Sequence, residues 1–193
     1  MQYSISKKLV FAFGLIFIFF TIVYPQNKDI NSSIDEKEIP LLSLNTDTIL
    51  FKFNNEFTIV SFFSTYCSHC IAELNSLEKN YEKWKTEFNL EIIAVAGKTD
   101  IVDFNKIQKF AKRKSYSYSL YIDITNKFAE YIFNSKDVKK EENFRLFNGK
   151  IDVLKPQMFI FDSSGNIIMQ KRAFLVGDEQ KIYEFLKNHH SKQ

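Results

Sequence analysis

Cys67 and Cys70, the two cysteines of the chain, are set as Cys67-Ser68-His69-Cys70 between an apolar run, Phe57 to Phe63, and a helix-patterned stretch, Ile71 to Phe88. This junction constrains the fold more than any other part of the sequence. A continuous run of strand length suits a strand buried on both faces, which belongs at the centre of a sheet. The strand hands both cysteines to the start of a helix, where free amides and the positive dipole end stabilise a thiolate. The spacing lets a short disulfide form and break, so the chemistry implied is thiol–disulfide exchange. Two other readings stand beside it. A fixed structural bridge would close only a tiny loop and remove little chain entropy. A zinc site needs about four ligands, and the histidines other than His69, namely His189 and His190, fall in a polar C-terminal tail.

The length, 193 residues, suits one domain with some chain left for a targeting segment. A content of 45% hydrophobic residues, with 21 phenylalanines, is enough to build a core. Lys7 and Lys8 are two of the 26 basic residues, so the chain beyond residue 24 carries 24 basic against 23 acidic groups. That balance gives no reason to expect a nucleic-acid partner.

Ser6-Lys7-Lys8 precedes an uncharged run from Leu9 to Tyr24. This is a basic region followed by an apolar one, the pattern of a secretory signal. The run is shorter than the roughly 20 residues of a membrane span. No small-residue cleavage site is evident in Thr21-Ile22-Val23-Tyr24-Pro25-Gln26, and no cysteine lies there to take a lipid. Residues 1–24 are read as a cleaved signal peptide or as an uncleaved anchor in the membrane through residues 9–24. A buried globular helix fits less well, because no polar face interrupts the run. Both readings place the remaining chain outside the cytoplasmic membrane, in the periplasm or cell envelope, where a cysteine pair can cycle between redox states.

Residues 25–38 are polar and read as a linker, and 39–190 as the folded domain. Ile39 to Leu44 and Thr48 to Phe51 look like short strands joined by Asn45-Thr46-Asp47. Beyond Cys70, Ile71, Leu74, Leu77, Tyr81 and Trp84 recur at helical spacing and face inward. Glu91–Ala96 is the next strand, Asp103–Lys114 an amphipathic helix, Ser119–Ile122 a short strand and Asn126–Ile132 a short helix. Met158–Phe161 and Ile167–Gln170 form a hairpin around Asp162-Ser163-Ser164-Gly165-Asn166. Asp178–Asn188 closes the chain as a helix. Strands alternating with helices, then a hairpin and a helix, describe an α/β sandwich with a mixed sheet.

Several of these pieces together resemble the TlpA/ResA-like branch of the thioredoxin superfamily, over about residues 39–188. They are Ile39-Pro40-Leu41-Leu42 with its hairpin, Val60-Ser61-Phe62-Phe63-Ser64-Thr65-Tyr66-Cys67, Glu73 three residues past the second cysteine, and Pro156-Gln157-Met158-Phe159-Ile160-Phe161-Asp162-Ser163-Ser164-Gly165. The resemblance implies a thioredoxin-like sandwich whose central mixed sheet is flanked by helices. Cys67 is the candidate nucleophile and Cys70 the resolving thiol. Ser68 and His69 lie between them. A cationic imidazole at His69 would stabilise the Cys67 thiolate and raise the reduction potential, like the histidine of the C-P-H-C site in DsbA-type proteins; the bland alternative is a solvent-facing residue.

The resemblance further implies that Glu73 exchanges protons with the thiols; the alternative is first-turn helix stabilisation. Pro156 would be the cis-proline that faces the cysteines and offers a backbone edge to an extended substrate; the alternative is an ordinary trans proline. A cis bond would place Lys155 near the thiols, adding positive potential or selecting acidic substrates. Tyr66 stands where relatives carry tryptophan and would flank the substrate groove. Three departures stand out. Ser61 replaces the buried aspartate of thioredoxins proper, Asn75 replaces a frequent proline, and residues 134–155 form a long charged insertion. The insertion is read as a partner contact or as a surface loop.

The expected function is that of an extracytoplasmic thiol–disulfide oxidoreductase, with a reductase favoured by the resemblance. A disulfide-donating oxidase or isomerase, or a non-catalytic binding module, are the alternatives. The expected partners are cysteine-containing envelope proteins and a membrane or soluble thiol reductant. No signature of an organic cofactor or metal is present; the cysteines are the redox group.

Overall fold

The computed structural model describes residues 38–97, 104–136, 138–147, 150–172, 175 and 177–191. The expected signal or anchor, nearly all of the linker, and Asp103 at the expected start of a helix lie outside these residues. Nine strands are present among the described residues: β1 (Ile39–Ser43), β2 (Thr48–Phe51), β3 (Phe57–Phe63), β4 (Leu90–Gly97), β5 (Ser119–Asp123), β6 (Phe144–Phe147), β7 (Lys150–Val153), β8 (Gln157–Asp162) and β9 (Ile167–Arg172). The helices are α1 (Ser68–Phe88), α2 (Phe104–Lys114), α3 (Lys127–Asn134), the single turn α4 (Lys140–Asn143) and α5 (Asp178–His190).

Seven strands form one mixed sheet in the order β2-β1-β5-β4-β3-β8-β9, and β6 and β7 form a separate hairpin. β3 runs parallel to β4, and β4 parallel to β5, while β8 pairs antiparallel to β3. Every residue of β3 is buried, as its unbroken apolar pattern predicts. Alternate side chains leave it for two cores. Phe57, Ile59 and Phe63 join Leu74, Leu77, Tyr81 and Trp84 of α1, Ile107 and Phe110 of α2, and Ile182 and Leu186 of α5. Val60 and Phe62 join Phe128 and Ile132 of α3, Phe159 and Phe161 of β8, and Phe144 and Val153 of the hairpin. The sheet is therefore covered on both faces, which only a central strand of this composition requires.

α1 shows how local chemistry sets the ends of an element. It begins at the extended N-cap Cys67 and stops at Asn89, whose φ of 44° is left-handed. Asparagine tolerates that conformation better than most residues and so closes helices well. Ile71 packs against the first core while only partly buried, and Glu73 on the same helix is buried outright.

The charged stretch after Asn134 differs most from a plain loop. It folds into α4 and the β6–β7 hairpin, with Phe144 and Val153 in the second core. Phe133 packs edge-on against Phe144. The chain is also tied to the sheet edge. Asn143 Nδ2 donates to Gln170 Oε1 at 2.9 Å, and Arg172 Nη1 donates to the Glu142 carbonyl at 2.8 Å. The sequence signal for this hairpin was Asn148-Gly149 between two stretches of alternating apolar residues, a strong hairpin cue.

The β8–β9 turn holds Gly165 at φ +81°, where an added Cβ would lie 2.5 Å from the Tyr131 hydroxyl. That hydroxyl donates to the Gly165 carbonyl at 2.8 Å. Gly165→Ala is expected to cost about 1–3 kcal/mol in chemical denaturation, from the backbone conformation and the crowding together.

Candidate functional site

The chain leaves β3 through a tight turn in which the Cys67 N–H donates to the Ser64 carbonyl at 3.1 Å. Cys67 then caps α1: its carbonyl accepts from the Ile71 N–H, and its sulfur accepts from the Cys70 N–H at 3.1 Å. The first turn of α1 carries no acid, so no carboxylate competes with a thiolate for the helix start. The two sulfurs are bonded at 2.07 Å, with the Cα atoms 5.2 Å apart. Cys67 is partly exposed, whereas Cys70 is completely buried. An incoming thiolate therefore reaches Cys67, and Cys70 can act only from within.

Ser68 and His69 are exposed beside the pair. Tyr66 is 74% exposed. Its hydroxyl accepts from Lys106 Nζ of α2 at 2.7 Å, and that ammonium also lies 5.3 Å from the ring centre.

Beneath α1, Glu73 is 1% exposed. It lies beyond the first turn, so it is placed for the core side of the helix and not for the helix start. Ser61 Oγ of β3 donates to Glu73 Oε1 at 2.6 Å, while Oε2 has no hydrogen-bond partner. Burial pushes the carboxyl up to about 7; the Ser61 hydrogen bond and the positive charge of Lys171 work against this, and the negative charge of Asp178 reinforces it. A carboxyl poised near neutrality can both take and return a proton. Ser61, buried at the centre of β3, is thus the hydrogen-bond donor to the glutamate.

The Lys155–Pro156 peptide is cis. β8 pairs Phe62 with Gln157, so Pro156 lies level with Phe63, at the end of β3 that leads to the cysteines. Lys155 Nζ lies 3.5 Å from Asp152 Oδ1, and Arg145 Nε donates to Asp152 Oδ2 at 2.8 Å. The charge of Lys155 is thus answered by the hairpin, whose buried Asp152 anchors the segment before the proline.

Three features at this site escaped the sequence reading. The Ser61–Glu73 bond joins a strand to a helix. Asn75 Oδ1 accepts from Lys114 Nζ at 3.2 Å and from the Tyr116 hydroxyl at 2.8 Å, tying α1 to the last residue of α2 and to the chain beyond it. Lys171 of β9 and Asp178 of α5 form an ion pair at 3.0 Å. None carries a local signal, because each joins residues set by tertiary packing. Among the described residues, no group of three or more His, Cys, Asp or Glu side chains could hold a metal ion.

The sequence profile of the AhpC/TSA family matches residues 35–170. Among solved structures, the chain is similar to an uncharacterized thioredoxin-like protein from Porphyromonas gingivalis, at 21% identity over 78% of this chain and 88% of that one, with a TM-score of 0.57. It is similar to the bacterioferritin comigratory protein of Xanthomonas campestris at 13% identity, covering 79% and 92% of the two chains, with a TM-score of 0.58. It is also similar to StoA from Bacillus subtilis at 14% identity, covering 76% and 95%, with a TM-score of 0.54. These likenesses are of fold, and the fold is thioredoxin-like. No curated protein matches the sequence.

Proposed function

Because the chain belongs to the AhpC/TSA family, and is thereby a thiol oxidoreductase at the coarse level, we propose that it reduces disulfide bonds in cysteine-containing proteins of the cell envelope. The observation that carries this reading is the reachable Cys67 above a buried Cys70 and a buried, protonatable Glu73.

In the reduced state, the Cys67 thiolate attacks one sulfur of a substrate disulfide. The S–S bond breaks, a mixed disulfide forms, and the released substrate thiolate takes a proton. Cys70 then gives its proton to Glu73 and attacks Cys67 Sγ. The bond between Cys67 and the substrate breaks, and the second substrate thiolate leaves and is protonated. Two electrons have passed to the substrate, and the Cys67–Cys70 disulfide remains. A thiol reductant, membrane-bound or soluble, restores the dithiol by the same exchange in reverse. The cis Pro156 supplies the backbone edge along which an extended substrate pairs. Lys7-Lys8 and the run Leu9 to Tyr24 support an extracytoplasmic setting, whether secreted or held in the membrane through residues 9–24.

A second reading, a disulfide donor, is favoured by His69, which is exposed between the two cysteines. The reduction potential of the full chain, equilibrated in dithiothreitol or glutathione buffers, separates the two. A value near about −270 mV supports the reductase, and one near about −120 mV the donor. A pair that resists reduction throughout would overturn both and leave a fixed bridge.

A further inference from the structure

One row of the sheet carries three residues beneath α1. The register pairs Ser61 with Met158 and Met158 with Lys171, so all three lie on one face across β3, β8 and β9. Met158 belongs to the core that α1 and α5 cover. Ser61 binds Glu73. Lys171 stands two strand spacings of about 4.8 Å from Ser61, and its four-carbon stem lets the ammonium lean back under the helices. At the start of α5, Asp178 is 1% exposed. Its Oδ2 receives Lys171 at 3.0 Å and the Leu175 N–H at 2.6 Å, while its Oδ1 receives Lys181 at 3.1 Å.

We propose that Lys171 and Asp178 are positioning residues for Glu73, an ion pair whose two members act on its carboxyl with opposite sign and so set the pH at which it takes the Cys70 proton. This rests on the reading that Glu73 serves Cys70. The physical logic is a balance. Lys171 alone, facing a buried carboxyl with one unpartnered oxygen, would hold it ionised. A carboxylate so held accepts no proton at neutral pH. Asp178 occupies the ammonium and weakens that hold. Without Lys171, burial would keep the carboxyl protonated, and it could not act as a base. Lys171 and Asp178 are the charged groups whose fields act on Glu73 from β9 and α5. The other polar groups near it are Ser61 from β3, which donates to it, and Tyr118 before β5, whose hydroxyl donates to the Leu74 carbonyl at 2.8 Å.

The test is carboxyl-carbon NMR titration of the full, oxidised chain labelled at glutamate, with Glu73→Gln identifying the signal. The parent midpoint is expected near 7. Lys171→Met is expected to move it up by about 1 pH unit and Asp178→Asn down by about 1, while Lys171→Arg restores the parent value. A merely structural role would not produce shifts of opposite sign. Unmoved midpoints, or shifts of one sign in both variants, overturn the proposal. The pH–rate profile of disulfide exchange in the same variants then bears on the function itself. Profiles that follow the NMR midpoints support Glu73 as the proton partner of Cys70. Profiles that ignore shifted midpoints overturn that role and leave the action of the ion pair on Glu73 standing.

Discussion

Cys67→Ser is expected to lower turnover of a disulfide substrate by roughly a thousandfold or more, while Cys70→Ser stops the cycle one step later with substrate covalently held. The asymmetry follows from burial. Cys67 is the partly exposed sulfur at the helix start, and Cys70 is completely buried one turn on. A serine hydroxyl at position 67 is a weak nucleophile at neutral pH, and the buried Cys70 cannot reach a substrate in its place. With serine at position 70 the mixed disulfide forms but nothing resolves it. Non-reducing electrophoresis and mass spectrometry of the full chain incubated with an oxidised model protein read both outcomes. Trapping through Cys70 in the Cys67→Ser variant would reverse the assigned roles. Turnover at the parent rate in either variant would remove that cysteine from catalysis.

The second large effect is a pH slope in stability. Burial raises the Glu73 carboxyl from its ordinary value of 4.5 to about 7. The folded protein therefore binds this proton more tightly than the unfolded chain does. The resulting stabilisation is fully present below about pH 4.5, is lost as pH rises, and is gone above about pH 7. Its size is about 3 kcal/mol, at 1.36 kcal/mol per pH unit. Glu73→Gln cannot ionise, so denaturation of the oxidised variant is expected to lack this loss between pH 5 and pH 8, whatever its stability at either pH. Parallel pH dependence in parent and variant would mean that Glu73 is not the buried acid described above. The same substitution is expected to slow resolution of the mixed disulfide, because Cys70 loses its proton acceptor.

The elements that could be read directly were those with a period. Seven residues of β3, the inward stripe of α1 from Leu74 to Trp84, and the hairpin around Gly165 lie where the sequence places them. Each is specified within a few residues of itself, by alternation, by three-and-four spacing, or by turn chemistry. The β6–β7 hairpin lies where the many charges of residues 134–155 suggest a surface loop, yet Phe144 and Val153 reach the core. The complete burial of Cys70 has no local signal, because it depends on how α1 packs on the sheet.

What the sequence determined by itself is the redox junction: a doubly buried strand running into Cys67-Ser68-His69-Cys70 at a helix start, followed by a proline and an apolar strand. Those features are local, and elementary backbone physics turns them into a reactive sulfur. What only the tertiary structure decided is the electrostatic setting of that sulfur. Ser61, Glu73, Lys171 and Asp178 come from β3, α1, β9 and α5, and Lys155 meets its counter-charge on the hairpin. Charge interactions depend on distance and on the loss of solvent. Neither is encoded in the separation of residues along the chain, so both arise only once the sheet and helices have closed around them.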